Sequence, residues 1–462
     1  MNNKRLRTFL AFFAFTCVVA SCKTLPDAET LPENPGKATP MVQTPRGMLD
    51  NKQAAALLKK RWANASPDLK QLAVLEEQAT GAPLIPGNKV TLLFDGPATM
   101  REMMAAAREA KTSINLETYI FDQDPIGLQF AELLMEKRRQ GVVVNIIADG
   151  VGTLATPKEF FERLRAAGVN VLIFNPVNPL QRPGNWQLNN RDHRKIMVVD
   201  GKVGFTGGIN ISETYANSSL FRSRKKPTNV NKDEVGWRDT HIRIEGPAVA
   251  ALQYAFVDNW VHQDAGELPQ VDYFPRLAPM GDKVLRVLAT SPDRDSEIYK
   301  SMMVAMNEAK QSIHITSAYF VPDQQIVDSL VSAAKRGVDV KLVLPGVSDH
   351  DLIKYAGQAF YDQLLQGGVK IYQLQVAVLH AKTAVIDGIW STIGSANIDR
   401  RSFIHNYELN VVVLDPAFGR DMEAAFNEDL RSSKQVTLDQ WRDRPWKDRL
   451  REFIGRLAEY WI

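Results

Sequence analysis

The stretch HRKIMVVDGKVGFTGGIN at residues 193–210 has a counterpart, HAKTAVIDGIWSTIGSAN, at residues 380–397. Both follow one pattern: His-x-Lys, four residues, Asp, six residues, Gly-Gly or Gly-Ser, one residue, Asn. Two copies of such a string are not expected by chance. They indicate a duplicated fold that places two histidines, two lysines and two asparagines in equivalent environments.

Similarity between the two halves of the chain extends beyond this motif. Three further pairs of segments match, the second with a one-residue gap: NKVTLLFDG (88–96) with DKVLRVLAT (282–290), EAKTSINLETYIF (109–121) with EAKQSIHITSAYF (308–320), and EKRRQGVVVNIIADG (136–150) with AAKRGVDVKLVLPG (333–346). Each half therefore predicts the order strand, helix, strand, helix, strand, motif, strand. Apolar runs such as VVVNIIA, bounded by Gly or Pro, are typical of strands buried on both faces. The alternation predicts an α/β fold with a mixed sheet in each half.

The N-terminus has the composition of an export signal. Basic residues within positions 4–7 precede LAFFAFTCVVA (10–20), an apolar run too short to span a bilayer. The run leads into Val-Ala-Ser-Cys at 19–22, which resembles a bacterial lipobox. We therefore expect cleavage before Cys22 and lipidation of that cysteine, with an ordinary secretory signal or an uncleaved anchor as alternatives. Lys23 rather than Asp favours the outer membrane in a double-membraned host, with the protein on the periplasmic side of the cell envelope.

The charge balance argues against one class of partner. Without the expected leader, the chain has 53 basic and 53 acidic residues, so its net charge is near zero. Nucleic-acid binding depends on excess Lys and Arg that neutralise phosphates. The composition therefore gives no support to a nucleic-acid partner.

The sequence suggests six regions. They are a lipoprotein signal peptide (1–21), a flexible tether (22–47), an N-terminal helical segment (48–87), a first motif half (88–275), a second motif half (276–435) and a C-terminal amphipathic helix (436–462). The tether is predicted from five prolines among polar residues. The body is expected to begin near Asn88.

The C-terminal helix is predicted from apolar residues at spacings of three and four. These are Trp446, Leu450, Phe453, Ile454, Leu457 and Trp461. The helix either lies on a membrane or docks onto the protein body. Six basic against five acidic residues in 437–462 favour docking, because interfacial helices usually have a Lys/Arg-rich polar face.

The first half also contains a basic insertion, FRSRKKPTNVNK, at residues 221–232. Its residues Arg222, Arg224, Lys225 and Lys226 either meet anionic lipid headgroups or form a solvated loop. The sequence alone leaves both alternatives open.

The motif residues suit phosphodiester exchange. Imidazole serves as nucleophile or proton donor near neutral pH, so His193 and His380 can divide these two tasks at one phosphate. If each motif starts on a strand, Lys195 and Lys382 project on the same face as their histidines and reach the phosphate. Asn210 and Asn397 are expected to donate amide hydrogen bonds to the same oxygens. With four such donors we expect neither a metal ion nor a cofactor.

A histidine in this role needs an acceptor on its other nitrogen. Glu408 and Asp239, each on the strand after a motif, are the candidates. Asp200 and Asp387 stand at the same position of the two motifs. They are expected to anchor the motif turns rather than to touch substrate.

The duplicated His-x-Lys-x4-Asp motif resembles that of the phospholipase D superfamily, and the flanking sequence is similar to that of bacterial cardiolipin synthases. The phrases that carry the resemblance are LETYIFDQD (116–124), ADGVGT (148–153), RDHRKIMVVDGKV (191–203), GGINIS (207–212), WRDTHIRIEGPAV (237–249), SAYFVPD (317–323) and LHAKTAVIDG (379–388). The resemblance implies a duplicated phospholipase D-like fold, with two pseudo-twofold-related α/β halves and one active site at their interface. It also implies a phosphatidyl-histidine intermediate on a phospholipid substrate, phosphatidylglycerol or another. His193 would be the nucleophile and His380 the acid/base, an assignment that could be reversed.

One departure from that family concerns the membrane. Bacterial cardiolipin synthases of this type often begin with two transmembrane helices, whereas this sequence predicts a lipid anchor through Cys22. The expected activity is a phosphatidyltransferase. The alternatives are a hydrolytic phospholipase D with water as acceptor, an exported nuclease and a non-catalytic lipid-binding protein.

Overall fold

A computed structural model describes residues 24–36, 38–63, 67–178, 180, 187–216, 235–263, 265–292 and 296–457. The expected leader with Cys22, the basic insertion at 221–232 and Trp461 lie outside the described residues.

The N-terminal segment contains two short strands and two helices. After a 3-10 turn at Ala28–Thr30 come β1 (Gln43–Thr44), β2 (Gly47–Met48), α1 (Asn51–Arg61) and α2 (Pro67–Thr80).

The first half contains strands and helices in alternation up to its motif. They are β3 (Ile85–Leu93), α3 (Gly96–Glu109), β4 (Ser113–Thr118), α4 (Pro125–Arg139), β5 (Val143–Asp149), α5 (Lys158–Ala166), β6 (Asn170–Phe174), β7 (Ile196–Val199), β8 (Val203–Gly207), α6 (Glu213–Ala216), β9 (Trp237–Arg238), β10 (His241–Glu245) and α7 (Val249–His262).

The second half repeats this order. Its elements are β11 (Lys283–Thr290), α8 (Glu297–Glu308), β12 (Ser312–Ser317), β13 (Phe320–Val321), α9 (Gln324–Lys335), β14 (Asp339–Val347), α10 (Asp351–Gln358), α11 (Tyr361–Gln366), β15 (Lys370–Leu379), β16 (Lys382–Ile386), β17 (Trp390–Gly394), β18 (Ile398–Asp399), α12 (Arg400–Ile404), β19 (Glu408–Leu414) and α13 (Pro416–Arg431). The chain then forms β20 (Ser433–Val436), α14 (Leu438–Arg442) and α15 (Trp446–Leu457).

The two halves share one large sheet within the described residues. The strand order β6-β5-β4-β7-β8-β10-β3 of the first half continues into β11-β19-β17-β16-β12-β14-β15-β20. The antiparallel pair β3–β11 joins the halves at the pseudo-twofold axis, where Leu285 pairs with Ile85. In each half three strands run parallel, and the first strand of the motif hairpin, β7 or β16, pairs antiparallel with one of them. The predicted duplicated α/β fold with mixed strand directions in each half is thus confirmed, and the strands of the two halves join edge to edge.

The predicted element order is also incomplete. Each half inserts one more strand before its motif, β6 in the first and β15 in the second. Helix α5 precedes β6, and the pair α10–α11 precedes β15. These insertions add one parallel strand to the part of the sheet that each half contributes.

One apolar cluster lies between the two halves. It includes Ile196, Val198 and Ile242 from the first half and Val385 and Leu409 from the second, all of them 1% exposed or less. Burial of such side chains contributes about 1.5–3 kcal/mol each. The motif strands β7 and β16 are therefore fixed relative to each other by a shared core.

Aspartates begin several of the helices that follow strands. Asp95, Asp124, Asp323 and Asp415 each accept a hydrogen bond from the backbone N–H three residues ahead. Such caps stabilise a helix by about 1 kcal/mol each. They set the points at which the chain turns back from the sheet.

The described part of the predicted tether packs against the body. Val42 is fully buried, and the Gln43 N–H donates to the Leu84 carbonyl over 2.8 Å. The Gln325 side chain accepts from the Ala28 N–H over 2.6 Å and donates to the Pro26 carbonyl. The prediction of a flexible tether over 22–47 is thus wrong for the described residues, because apolar side chains of this segment pack against the second half.

Helix α2 is joined to the second half by a buried polar network. The Glu76 carboxylate is fully buried and accepts from Arg286 Nε over 3.1 Å and from Trp390 Nε1 over 3.0 Å. The Ser301 hydroxyl donates to the same carboxylate. The body therefore includes the helical segment and begins before Asn88.

The last helix, α15, packs against α10. No helix among the described residues is both long and apolar enough to cross a membrane.

Candidate active site

Residues of both motifs line one cavity of about 220 Å³ at the boundary between the two halves. His193, three residues before β7, and His380, two residues before β16, both lie on its wall. Both side chains are largely buried, at 8% and 5% exposure. The two copies of the motif thus contribute to one site.

His193 is held by the second half. Its backbone N–H donates to the Tyr407 carbonyl over 2.9 Å. Its Nδ1 lies 3.0 and 3.1 Å from the two oxygens of Glu408, the first residue of β19. A proton on Nδ1 satisfies this carboxylate and leaves the Nε2 lone pair free.

Glu408 is a firmly ionised partner. Burial raises the pKa of its carboxyl, but His193, Lys195 and the Ser395 hydroxyl together outweigh burial and lower this pKa to about 2. Asn406 Nδ2 also donates to Glu408 over 3.1 Å. Burial is the main reason why the pKa of His193 falls to about 4, so the imidazole is neutral at pH 7.

His380 is held by the first half in the same way. Its backbone N–H donates to the Arg238 carbonyl over 2.8 Å, and its Nδ1 lies 2.7 Å from Asp239 Oδ2. Lys382 Nζ is also 3.0 Å from this Nδ1, and the Tyr215 hydroxyl is 3.5 Å away. This nitrogen therefore has several polar neighbours, whereas the corresponding nitrogen of His193 faces a carboxylate alone.

The second histidine–acid pair also differs in its protonation. Burial raises the pKa of Asp239 to about 6. Burial and the nearby Lys382 charge lower the pKa of His380 well below its ordinary value. The pKa of the Asp239 carboxyl is thus closer to neutral than the pKa of the Glu408 carboxyl.

The two motif lysines lie behind the histidines. Lys195 Nζ donates to the His193 carbonyl over 2.6 Å, and Lys382 Nζ donates to the His380 carbonyl. Neither lysine is among the residues that line the cavity. The expectation that the motif starts on a strand is wrong for His193 and Lys195, since β7 begins at Ile196. Burial lowers the pKa of both lysines, that of Lys195 to about 7.

The two motif asparagines are not equivalent. Asn210 Nδ2 donates to the Tyr215 hydroxyl over 2.7 Å, and its Oδ1 accepts from the Ile120 N–H over 3.0 Å. One of the two amide hydrogens of Asn210 is therefore used within the protein, although the residue also lines the cavity. Asn397 lines the cavity, and its buried Oδ1 has no hydrogen-bond partner among the described residues.

The motif aspartates lie away from the cavity. Asp200 accepts three backbone N–H bonds, from Lys111, Thr112 and Ser113 at 2.7–3.0 Å. Asp387 does the same for residues 310–312 at 2.7–2.8 Å. Both have φ of 52°, a left-handed conformation that Asp tolerates in turns. They tie the motif hairpin to the start of β4 or β12, so a catalytic role for them is not supported.

The residues that contact the two acids also differ between the motifs. At the second glycine position the first motif has Gly208 and the second has Ser395. A Cβ on Gly208 would lie 2.2 Å from Asp239 Oδ1, whereas the Ser395 hydroxyl donates to Glu408. The shorter Asp239 is thus paired with glycine and the longer Glu408 with serine.

Sequence reasoning missed most of the cavity wall. Four aromatic residues line it: Tyr119, Tyr215, Trp237 and Tyr319. Tyr119 and Tyr319 follow the matched strands β4 and β12, a signal obscured by the one-residue gap between those segments.

Charged residues on the wall were missed as well. Arg191 and Arg401 line the cavity, as does Asp349. Asp349 Oδ2 accepts from the Tyr319 hydroxyl over 2.6 Å, while its buried Oδ1 has no partner among the described residues. The wall therefore offers both cationic and anionic groups to a substrate.

The chain matches a family model described as "Cardiolipin synthase, PLD-like domain". It matches residues 103–220 and 302–430, one segment in each half. The matched segments contain both motifs.

Curated proteins of similar sequence include bacterial cardiolipin synthases. The chain is 36% identical over 395 residues to "Cardiolipin synthase" of Geobacillus kaustophilus, covering 85% of this chain and 76% of that protein. It is 33% identical to "Major cardiolipin synthase ClsA" of Bacillus subtilis, covering 80% and 74%.

Among solved structures, phosphatidylserine synthase of Haemophilus influenzae matches with a TM-score of 0.63 and 12% identity. The match covers 84% of this chain and 96% of that one. At this identity the likeness supports the duplicated fold alone.

Proposed function

The chain belongs to the cardiolipin synthase family of phospholipase D-like proteins and is a phosphatidyltransferase, and we propose that its reaction passes through His193 and His380 in turn. Phosphatidylglycerol is the proposed donor, and the glycerol hydroxyl of a second phosphatidylglycerol is the proposed acceptor. The products are then cardiolipin and free glycerol.

In the first step, His193 Nε2 attacks the phosphorus of the donor lipid. The bond from phosphorus to the headgroup glycerol oxygen breaks, and His380 gives its proton to that oxygen. Glycerol leaves, and the phosphatidyl group stays on His193 as a phosphohistidine.

In the second step, the acceptor lipid brings a hydroxyl to the same place. His380 takes the hydroxyl proton, the oxygen attacks phosphorus, and the bond to His193 breaks. Both histidines return to their starting protonation states, so the cycle needs no reactant besides the donor and acceptor lipids.

The difference between the two histidine–acid pairs carries this division of roles. Glu408, with a pKa of about 2, stays ionised and keeps the His193 proton on Nδ1, which suits a nucleophile. Asp239, with a pKa of about 6, and the adjacent Lys382 form a cluster that exchanges protons near neutral pH, which suits an acid/base. An anionic phosphodiester in the cavity favours the protonated form of His380, because an opposite charge raises a histidine pKa.

The lysines support the phosphate from behind the histidines in this scheme. Lys195 and Lys382 are bound to the histidine carbonyls in the free protein and are buried. Charges at buried positions such as these interact more strongly than charges in water and would stabilise the transition state. Arg191 and Arg401 on the cavity wall are the proposed contacts for the acceptor phosphate.

We further propose that the protein is an exported lipoprotein attached to a bacterial membrane through Cys22. The basic start of the chain, its short apolar run and the Val-Ala-Ser-Cys sequence support this proposal. Expression of the full chain with a labelled fatty acid should label the protein, and Cys22→Ser should abolish the label. Equal labelling of the Cys22→Ser chain would contradict the anchor.

The enzymatic proposal is tested by incubating the purified protein with phosphatidylglycerol vesicles and separating the lipids. We expect cardiolipin and glycerol in equal amounts. Phosphatidic acid without cardiolipin would instead identify water as the acceptor.

A further inference from the structure

Helix α15 is attached to the body by its polar side. Gly455 lies against α10 so closely that a Cβ there would be 2.6 Å from the Ala356 nitrogen. Beside it Glu452 is 5% exposed and forms an ion pair with Arg444 at 2.6 Å. The predicted apolar face therefore does not mediate docking onto the protein.

The apolar residues of α15 instead face away from the body. Trp446, Leu450, Phe453, Ile454 and Leu457 are between 48% and 68% exposed. With 3.6 residues per turn, successive side chains are about 100° apart, so these five residues share one stripe about 100° wide. That stripe lies opposite Gly455.

The charges of α15 are sorted around this stripe. By the same helical geometry, Lys447 flanks it on one side and Arg449 and Arg456 flank it on the other, and all three are exposed. The two acids of the helix, Asp448 and Glu452, project on the Gly455 side. The near-even overall charge that argued against an interfacial helix therefore conceals a purely basic border around the apolar stripe.

The stripe is close to the catalytic cavity through α10. This helix carries Ile353, which lines the cavity, and Leu352, which is 46% exposed. The segment just before it provides Asp349 and His350 to the cavity wall. Helix α10 thus contributes to the cavity wall and also carries α15.

We propose that the apolar stripe of α15 inserts into the headgroup region of an anionic phospholipid surface and holds the cavity at that surface. Exposed apolar residues bordered by Lys and Arg are the pattern that such surfaces bind. The substrate assumed here rests on the proposed function. Independently of Cys22, this contact would orient the protein so that lipid headgroups enter the cavity from the α10 side.

A spin label at position 454 tests the insertion directly. Cys22 is consumed by lipidation and Cys17 by cleavage, so Ile454→Cys gives the mature lipoprotein one labelling site. In vesicles of phosphatidylglycerol and phosphatidylcholine, we expect this label to become accessible to oxygen and protected from an aqueous nickel reagent. A label at Met280→Cys serves as the matched control, since Met280 is 55% exposed beside Gly87, outside the cavity wall. A label at 454 that stays as nickel-accessible as the one at 280 would overturn the proposal.

Turnover gives a second test. Phe453→Glu with Ile454→Glu should lower turnover of vesicle substrate at least about tenfold, because two apolar side chains that would enter the headgroup region are replaced by anions that an anionic surface repels. Turnover of short-chain phosphatidylglycerol below its micelle concentration should be unchanged, which excludes a folding defect. Met280→Glu should change neither. Equal vesicle turnover by the double variant and the parent would contradict the proposal.

The proposed function and the proposed docking surface can be refuted independently. His380→Ala should keep the protected label at 454 while losing turnover. Insertion without any transferase activity would contradict the proposed function alone, and activity without insertion would contradict the docking surface alone.

Discussion

His193 Nδ1 lies 3.0 Å from Glu408 Oε1, and these residues are 215 positions apart on opposite halves of the chain. The reverse pairing, His380 with Asp239, also crosses the boundary, at 2.7 Å. Each half therefore supplies the histidine of one pair and the acid of the other. Neither half contains a complete pair by itself.

Removing the charge of either acid should impair turnover through the histidine of the other half. We expect Glu408→Gln and Asp239→Asn to lower kcat by about 10²–10⁴, the range known for acids that fix a catalytic histidine. Glu423→Gln is the matched control, since Glu423 holds His314 at 2.8 Å in a pair outside the cavity. Steady-state assays with phosphatidylglycerol measure the effect, and control-like kcat values for both variants would refute the crossed pairs.

The two acids should affect stability with opposite pH dependence. The folded pKa of Glu408 is about 2, below its ordinary 4.5, so its carboxylate stabilises the fold above about pH 4.5 and this contribution is lost on acidification. The folded pKa of Asp239 is about 6, above its ordinary 3.8, so ionisation costs stability as the pH rises past 3.8.

Thermal unfolding at several pH values checks both signs. The Tm difference of Glu408→Gln from the parent should grow more negative as the pH rises from about 2 to about 5. The Tm difference of Asp239→Asn should become more positive as the pH rises from about 4 to about 6. Parallel trends for the two variants would contradict the assigned shifts.

Exchanging the residues at the glycine–serine position should affect the two histidine–acid pairs differently. Gly208→Ser places a Cβ 2.2 Å from Asp239 Oδ1 and must displace this acid from His380. Ser395→Gly removes one of several donors to Glu408 and leaves space unfilled. We therefore expect a loss of kcat of at least about 10²-fold for Gly208→Ser and a smaller loss for Ser395→Gly. Comparable kcat values for the two would contradict this account of the close contact.

The N-terminal helices should be integral to the fold. Glu76→Ala leaves the buried Arg286 without its carboxylate partner, which typically costs about 3–5 kcal/mol. Lys70→Ala, at an exposed position of the same helix, should change the free energy of unfolding by less than about 0.5 kcal/mol. Denaturant unfolding of both variants measures the difference. A value for Glu76→Ala as small as the control would show that α2 is peripheral.

The sequence predicted the duplicated α/β fold because its buried strands are continuous apolar runs that recur in both halves. The β3–β11 join was not predictable, since pairing between distant strands leaves no local pattern. Leu31 and Val42 are isolated apolar residues in a proline-rich segment, so their burial in the body left no periodic signal either.

The motif spacing predicted which residue types gather at the site but not how they pair. The assignment of Glu408 to His193 depends on how the halves face each other, which no single segment encodes. The use of the Asn210 amide by Tyr215 depends on a side chain five residues away in a region without a counterpart in the second half. A repeated motif predicts equivalent roles for its two copies, so such differences between Asn210 and Asn397 could not be predicted from it.

The central claim is that both halves form one site in which His193 attacks and His380 transfers protons. A phosphatidyl ester of p-nitrophenol tests this most directly, because its leaving group departs without an acid. We expect His380→Ala to release about one equivalent of nitrophenol per protein and then stall as the phosphohistidine, and His193→Ala to release none. Release by His193→Ala but not by His380→Ala would reverse the roles, and continued turnover by each single variant would contradict a shared site.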